Sequence, residues 1–196
     1  WLDASNIDGQ NNTSLSNGAL VSEWKDLSGH AHHVTQTSDN RKPSLTTNLD
    51  KPYLSFDGSN DSLEADLTGH ILDDPTGKNV TIFTVVKPKQ KSGESYILST
   101  GGQTNSAVGY AFGTDEGVKG WSIFKDQNGG NTIQLSESFQ TNQTHLVTHS
   151  YKTSFNEYEV LVNGSLETDL GLVYGGASNG HHFLTIGRPN NTNSYF

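Results

Sequence analysis

Val21–Val34 reads V-S-E-W-K-D-L-S-G-H-A-H-H-V, Arg41–Leu45 reads R-K-P-S-L, and Lys51–Leu63 reads K-P-Y-L-S-F-D-G-S-N-D-S-L. Short apolar runs alternate here with clusters of Gly, Asp, Asn and Ser. Runs of this length bury one face of a strand, and the polar clusters between them supply residues that tolerate turn geometry. The pattern is that of a β-sandwich with tight polar connections.

The same grammar continues outward. Short β-branched or aromatic runs predict strands at Trp1–Ala4, Ala19–Val21, Val34–Gln36, Tyr53–Phe56, Ser62–Ala65, Val80–Lys87, Tyr96–Thr100, Ala107–Phe112, Trp121–Lys125, Thr132–Ser136, His145–Tyr151, Tyr158–Val162 and His182–Ile186. In Tyr158–Val162, Tyr158, Val160 and Val162 share one face, and Asn163-Gly164 follows. Asn-Gly is the strongest two-residue hairpin signal, because both positions accept positive φ. In Val80–Val86 the apolar residues occupy both alternations, which predicts a central strand covered on both sides, or a strongly curved one. Helix is scarce, with at most one turn over Gly69–Pro75. The expected fold class is all-β: two antiparallel sheets packed face to face with jelly-roll connections.

Composition bounds the function. The chain has 196 residues, the size of one domain, with 31% hydrophobic and 9% aromatic residues. Mean hydropathy is -0.60, which points to long solvated loops around one core. The aromatic content argues against disorder. Net charge is -9, and the 12 Lys and Arg residues form no cluster, so a nucleic-acid partner is excluded. No apolar run approaches the roughly 20 residues of a spanning helix, so no membrane insertion is expected. Cys and Met are absent, which removes thiol chemistry and suits a bacterial surface or secreted protein. With no initiator Met and no visible signal peptide, the sequence reads as an internal fragment or a processed product.

Trp24–Val34 resembles the W-x-D-x-S-G phrase of laminin-G-like, concanavalin-A-like jelly-roll domains of bacterial surface or secreted proteins. The R-K-P-S-L and P-Y-L-S-F-D-G-S-N-D-S-L stretches are similar to that family's next phrases. V-T-I-F-T-V-V-K-P, I-L-S-T-G-G, H-L-V-T-H-S-Y, E-Y-E-V-L-V-N-G-S-L and L-T-I-G-R-P follow in the family's order. The resemblance implies one jelly-roll domain over 1–196 and a binding role, often with one structural calcium. It departs at Gly29-His30-Ala31-His32-His33, where the family has a Gly-Asn turn. It departs again at Phe196, past which members continue into a last strand. The domain is therefore expected to lack that strand or to continue beyond this sequence.

Catalysis finds little support. Glu157 and Glu159 have the i, i+2 spacing that puts two carboxylates on one strand face, as retaining glycoside hydrolysis needs, but they alternate with Tyr158 and Val160 and so fall on the solvent face. His145 and His149 share a face with no partner phrase and read as structural or surface groups. His30, His32 and His33 lie close in sequence, and zinc needs three or four ligands with ordered geometry, so a surface turn with three histidines reads as unliganded. Asp57-Gly58-Ser59-Asn60-Asp61 concentrates oxygen donors, and Asp57 and Asp61 are the candidate Ca2+ ligands, or else plain Asx turns. An aromatic platform with Asn and Gly donors recognises sugars, and Tyr110, Trp121, Asn128 and Tyr174 are the candidates for ligand binding. Trp1 and Trp24 sit in core-forming phrases.

These readings converge on a noncatalytic module, extracellular or at the cell surface, that binds a glycan or other extracellular ligand beside neighbouring domains of a longer chain. The alternatives are a scaffold domain of a large adhesin that binds nothing itself, and a polysaccharide-degrading enzyme on the same sandwich.

Overall fold

The alternation of His145, Val147, His149 and Tyr151 with Leu146, Thr148 and Ser150 decides how the molecule is layered. The first four side chains are buried, while Leu146 is 44% exposed. The strand therefore carries one face into a core and leaves the other in solvent. The computed structural model describes residues 1–47, 51–68, 70, 72, 78–89, 95–100, 109–115, 119–126, 129–135, 140–152, 157–167, 172–174 and 183–187. Of residues 95, 109–111, 115, 119–126, 129–134, 152, 157, 172–174 and 183 it describes the backbone only.

The strands are β1 (Glu23–Trp24), β2 (Val34–Thr35), β3 (Ser44–Thr46), β4 (Tyr53–Ser55), β5 (Leu63–Asp66), β6 (Val80–Val86), β7 (Ser95–Thr100) and β8 (Gly109–Asp115). They continue as β9 (Lys119–Asp126), β10 (Gly129–Gln134), β11 (His145–Lys152), β12 (Glu157–Val162), β13 (Ser165–Glu167), β14 (Leu172–Tyr174) and β15 (Phe183–Ile186). Nine of them form one sheet in the order β1-β2-β5-β15-β7-β8-β9-β10-β14, and four form a second in the order β13-β12-β11-β6. β3 and β4 make a separate hairpin. Every pairing among them is antiparallel. Among the described residues the only helical element is a 3-10 turn at Asp39–Arg41.

The main core joins the two sheets. Val86, Val147, Tyr151, Tyr158, Val160 and Val162 of the smaller sheet pack with Ile97 and Phe112 of the larger one and with Leu135. Each such aliphatic or aromatic side chain contributes roughly 1.5–3 kcal/mol through burial, so this stripe is what holds the layers together. Two further clusters lie on the first 66 residues. One is Ile7, Val21 and Leu45, and the other is Val34, Leu63 and Ala65. Trp24 and Leu54 touch both clusters and tie them into one body against β15, whose Leu184 and Ile186 join the second.

Two glycines are dictated by geometry. Asn163 (φ 53°) and Gly164 (φ 86°) form the two-residue turn between β12 and β13, as the Asn-Gly pair predicts. Gly187 has φ 92°, and a Cβ there would lie 2.6 Å from both the Asp61 carbonyl oxygen and Phe56 Cδ1. Only glycine lets the end of β15 pass this close to the Asp57–Asp61 turn.

The structure corrects three expectations. Trp1–Ala4 is not a strand: Ser5 N and Oγ both donate to Asp3 Oδ1, and Asn6 N donates to the Asp3 carbonyl, so side-chain bonds close a turn instead. Trp1 is 73% exposed rather than core, whereas Trp24 is half-buried and donates its indole N–H to the Asp3 carbonyl. β6 is not a covered central strand. Among the described strands it stands at the edge of its sheet, with Phe83 and Val85 exposed at 66% and 73%. β1, β3 and β14, each two or three residues long, were not expected as strands, and β13 was announced only by the Asn163-Gly164 turn before it. The expected helical turn over Gly69–Pro75 lies largely outside the described residues.

Candidate binding surfaces

The Asp57–Asp61 turn is built by its own carboxylates. Asp57 Oδ1 accepts N–H bonds from Ser59 (2.8 Å), Asn60 (3.0 Å) and Asp61 (3.2 Å). In return Asp61 Oδ2 accepts the Asp57 N–H at 2.8 Å. Burial pushes the Asp61 carboxyl above its usual range; the Asp57 N–H opposes this, and the Asp57 charge adds to it. Calcium takes roughly six to eight oxygen ligands and repels the positive ends of N–H dipoles. Three such dipoles converge on Asp57 Oδ1, which closes the turn in the manner of an Asx turn.

A second cluster surrounds Asp26. Its Oδ1 accepts from the backbone nitrogen of Trp1 (2.7 Å) and the Ser28 N–H (2.9 Å), and its Oδ2 from Ser28 Oγ (2.7 Å) and the His32 N–H (3.2 Å). Burial alone would raise this carboxyl, but these donors outweigh it and hold Asp26 far below the carboxylate range. The Asp26 N–H donates to His33 Nδ1 at 3.0 Å, which fixes that nitrogen as an acceptor. The His32 ring meets His70 edge-on at 4.7 Å, and His70 Nδ1 accepts the Leu72 N–H at 3.1 Å. Burial lowers the His70 pKa; neighbouring His32 and His30 lower it further, and Asp26 opposes them. The three histidines of the 30–33 turn are thus engaged in separate contacts or exposed. Among the described residues, no group of three or more His, Asp or Glu can hold a metal ion.

The strand ladder locates the expected ligand-binding residues. Tyr110 on β8 stands opposite Phe124 on β9. Trp121 on β9 stands between Gly113 of β8 and Gln134 of β10. Tyr174 on β14 stands opposite Gly130 of β10. All three belong to the β8-β9-β10-β14 end of the nine-stranded sheet, and Asn128, in the β9–β10 connection, lies outside the described residues.

The two β11 histidines are structural. His145 is 1% exposed; its Nε2 lies 2.8 Å from the Gln140 carbonyl oxygen and its Nδ1 lies 3.1 Å from Asn163 Nδ2. His149 is 2% exposed, with its ring 5.0 Å from Phe112 and its Nδ1 3.2 Å from the Tyr158 hydroxyl. Burial pushes its pKa down to about 3, so it is neutral at physiological pH. Glu159 pairs across the ladder with Ser150 on the alternation opposite Tyr158 and Val160, as its sequence position predicts.

Sequence reasoning missed the outer face of the four-stranded sheet. Val85 stands opposite Leu146, Phe83 opposite Thr148, Thr148 opposite Leu161, and Leu161 opposite Leu166. Phe83, Val85, Leu146 and Leu166 are all exposed large apolar residues. The apolar residues on both alternations of Val80–Val86 were the signal, read as burial rather than as an apolar surface.

No family model and no curated protein matches this sequence. Solved structures match in fold. The binding domain of botulinum neurotoxin serotype D aligns over 91% of this chain and 45% of its own length, with 16% identity and a TM-score of 0.60. The binding domain of botulinum neurotoxin DC in complex with SialylT aligns over 83% and 40%, with 12% identity and a TM-score of 0.50. The same domain with rat synaptotagmin II aligns over 86% and 42%, with 13% identity and a TM-score of 0.50. The chain spans less than half the length of these structures. At such identities the likeness establishes the fold: an all-β molecule of antiparallel sheets. Among the described residues no helix is long and apolar enough to cross a membrane.

Proposed function

We propose that the chain is a noncatalytic binding module of a larger extracellular or cell-surface bacterial protein, a laminin-G-like jelly roll whose ligand is a glycan. The observation that supports it most is the fold match over nine-tenths of the chain to a toxin's binding domain, one relative of which is complexed with SialylT. The β8-β9-β10-β14 end, with Tyr110, Trp121 and Tyr174 on its strands and Asn128 in a connection, is the ligand surface in this reading. Aromatic faces stack on sugar rings, and Asn and backbone groups orient the hydroxyls. The structural calcium of the resembling family belongs to the reading as an expectation, and chelation is its test. A glycan array that includes sialylated oligosaccharides tests the whole. Binding that drops at least tenfold in Tyr110→Ala, Trp121→Ala or Tyr174→Ala supports the proposal, and an empty array with folded protein overturns it.

A second reading, a scaffold domain that positions its neighbours, is favoured by the bare apolar face of Phe83, Val85, Leu146 and Leu166. Patches of this kind mark interfaces more often than solvent-facing surface. An empty array, together with protection of that face in the longer protein, selects it.

A further inference from the structure

The outer face of the four-stranded sheet carries two apolar rows between polar ends. Of the seven large hydrophobic side chains exposed among the described residues, four stand on it: Phe83, Val85, Leu146 and Leu166. The ladder sets them side by side. Val85 and Leu146 make one row, and Phe83, Thr148, Leu161 and Leu166 make the next. The row after that is Thr81, Ser150 and Glu159, with the two hydroxyls 3.4 Å apart. On the other side of the apolar rows, Lys87 continues the alternation of Phe83 and Val85 and is exposed. Beyond Glu159, Glu157 and Lys152 stand opposite each other in the register, one charge of each sign. The apolar band therefore has a cation past one edge. Past the other it has a carboxylate, whose cross-strand neighbour on β11 is Ser150.

We infer that this face pairs with the same face of a second copy of the chain. Contiguous apolar surface of this kind is covered by protein or by membrane. A face with charges of both signs, on a molecule of net charge -9, does not suit an anionic membrane surface. A sheet face is complemented by another sheet face, about 10 Å away with strands about 30° from aligned. Self-pairing needs a two-fold axis that lies in the interface, so that each contact occurs twice with its partners exchanged. An axis crossing the strands between the two apolar rows lays each of those rows over the other one of the second copy. The same rotation carries Lys87 of each copy over the Thr81-Ser150-Glu159 row of its partner, and two contacts between opposite charges close the ends. Four strands about 4.8 Å apart and four rows about 7 Å apart make a face of roughly 20 by 20 Å. A standard interface takes ~800 Å2 from each partner, so this one is small, and protein concentration controls the dimer. The inference is independent of the proposed glycan ligand. It gives to a second copy the face that the scaffold reading gives to a neighbouring domain.

Sedimentation velocity on the 196-residue protein, over a wide range of concentration, tests it. The expected result is a monomer–dimer equilibrium that Phe83→Ser weakens at least ~tenfold. Tyr53→Ser, at an exposed residue of the β3-β4 hairpin, leaves it unchanged. Lys87→Glu alone and Glu159→Lys alone each set like charges against one another at both ends of the interface, and each weakens it about tenfold at low salt. Mixed in equal amounts, the two variants restore association, because in the mixed pair both ends again join opposite charges. Should Glu159→Lys fail to fold, Ser150→Lys in the same row takes its place in the mixture. A protein that stays monomeric throughout overturns the inference and leaves the face to a neighbouring domain. A dimer indifferent to Phe83→Ser, or one that the mixture does not restore, overturns it as well.

Discussion

His149 couples the stability of the core to acid. The imidazole is wedged between Phe112 and Tyr158, and burial lowers its pKa from 6.5 to about 3. The folded protein therefore refuses a proton that the unfolded chain accepts. The stabilisation is fully present above the unfolded value and is lost progressively as the pH falls from about 6.5 towards 3. At about 1.36 kcal/mol per pKa unit, going from pH 7 to pH 5 removes ~2 kcal/mol through this one residue. Urea unfolding followed by tryptophan fluorescence, at both pH values, measures the loss. Other histidines titrate in the same window, His70 in the same direction, so the quantity to read is the difference between wild type and His149→Gln. Gln keeps a polar atom near the Tyr158 hydroxyl but cannot titrate. The variant should lose ~2 kcal/mol less than wild type between the two pH values, whatever its stability at pH 7. If both proteins lose the same amount within ~0.5 kcal/mol, the buried neutral imidazole is not what makes the fold acid-sensitive.

Other substitutions probe other joints. Gly187→Ala forces a Cβ to within 2.6 Å of the Asp61 carbonyl oxygen and the Phe56 ring at φ 92°, and should cost at least ~2 kcal/mol in urea unfolding. Val147→Ala, at the fully buried centre of the main core, should cost roughly 2 kcal/mol, whereas Leu166→Ala on the exposed face should change stability by less than ~0.5 kcal/mol. If calcium binds at the Asp57–Asp61 turn, the rise of Tm that it gives should be lost in both Asp57→Asn and Asp61→Asn; a rise that survives both places the ion elsewhere. Asp26→Asn should destabilise by ~1–3 kcal/mol at pH 7, since the amide nitrogen cannot accept the bonds now made to one carboxylate oxygen. The Asp26 carboxyl is held below its usual range, so this stabilisation is present above pH 3.8 and is lost as the pH falls beneath it.

The long strands were legible because alternation is a local property. Tyr158-Glu159-Val160-Leu161-Val162 states its buried face in its own letters, and Asn163-Gly164 states the turn. β6 was misread for a reason that no window of sequence contains. Phe83 and Val85 are indistinguishable from core residues by hydropathy, and only the order of strands in the sheet leaves them bare. Trp1 was misplaced because a single carboxylate, Asp3, closes a turn that outcompetes strand pairing. Of the site, the Asp57–Asp61 turn could be found by residue type, but whether its oxygens face a cation or amide hydrogens is a matter of distances. The contact of His32 with His70 joins residues from separate segments, and no spacing rule announces it.

The position of β15 has a consequence for synthesis. Phe183–Ile186 lies between β5 and β7, and Leu63 and Ala65 complete their ladder only with Ile186 and Leu184. A ribosome adds ~5–20 residues per second, so roughly ten seconds separate the emergence of β5 from that of its neighbour. For that interval an apolar strand edge is open in the nascent chain, flanked by Val34 and Trp24, which are already made. Residues 1–66 must wait, half-assembled and adhesive, for a segment that lies about 120 residues downstream of β5.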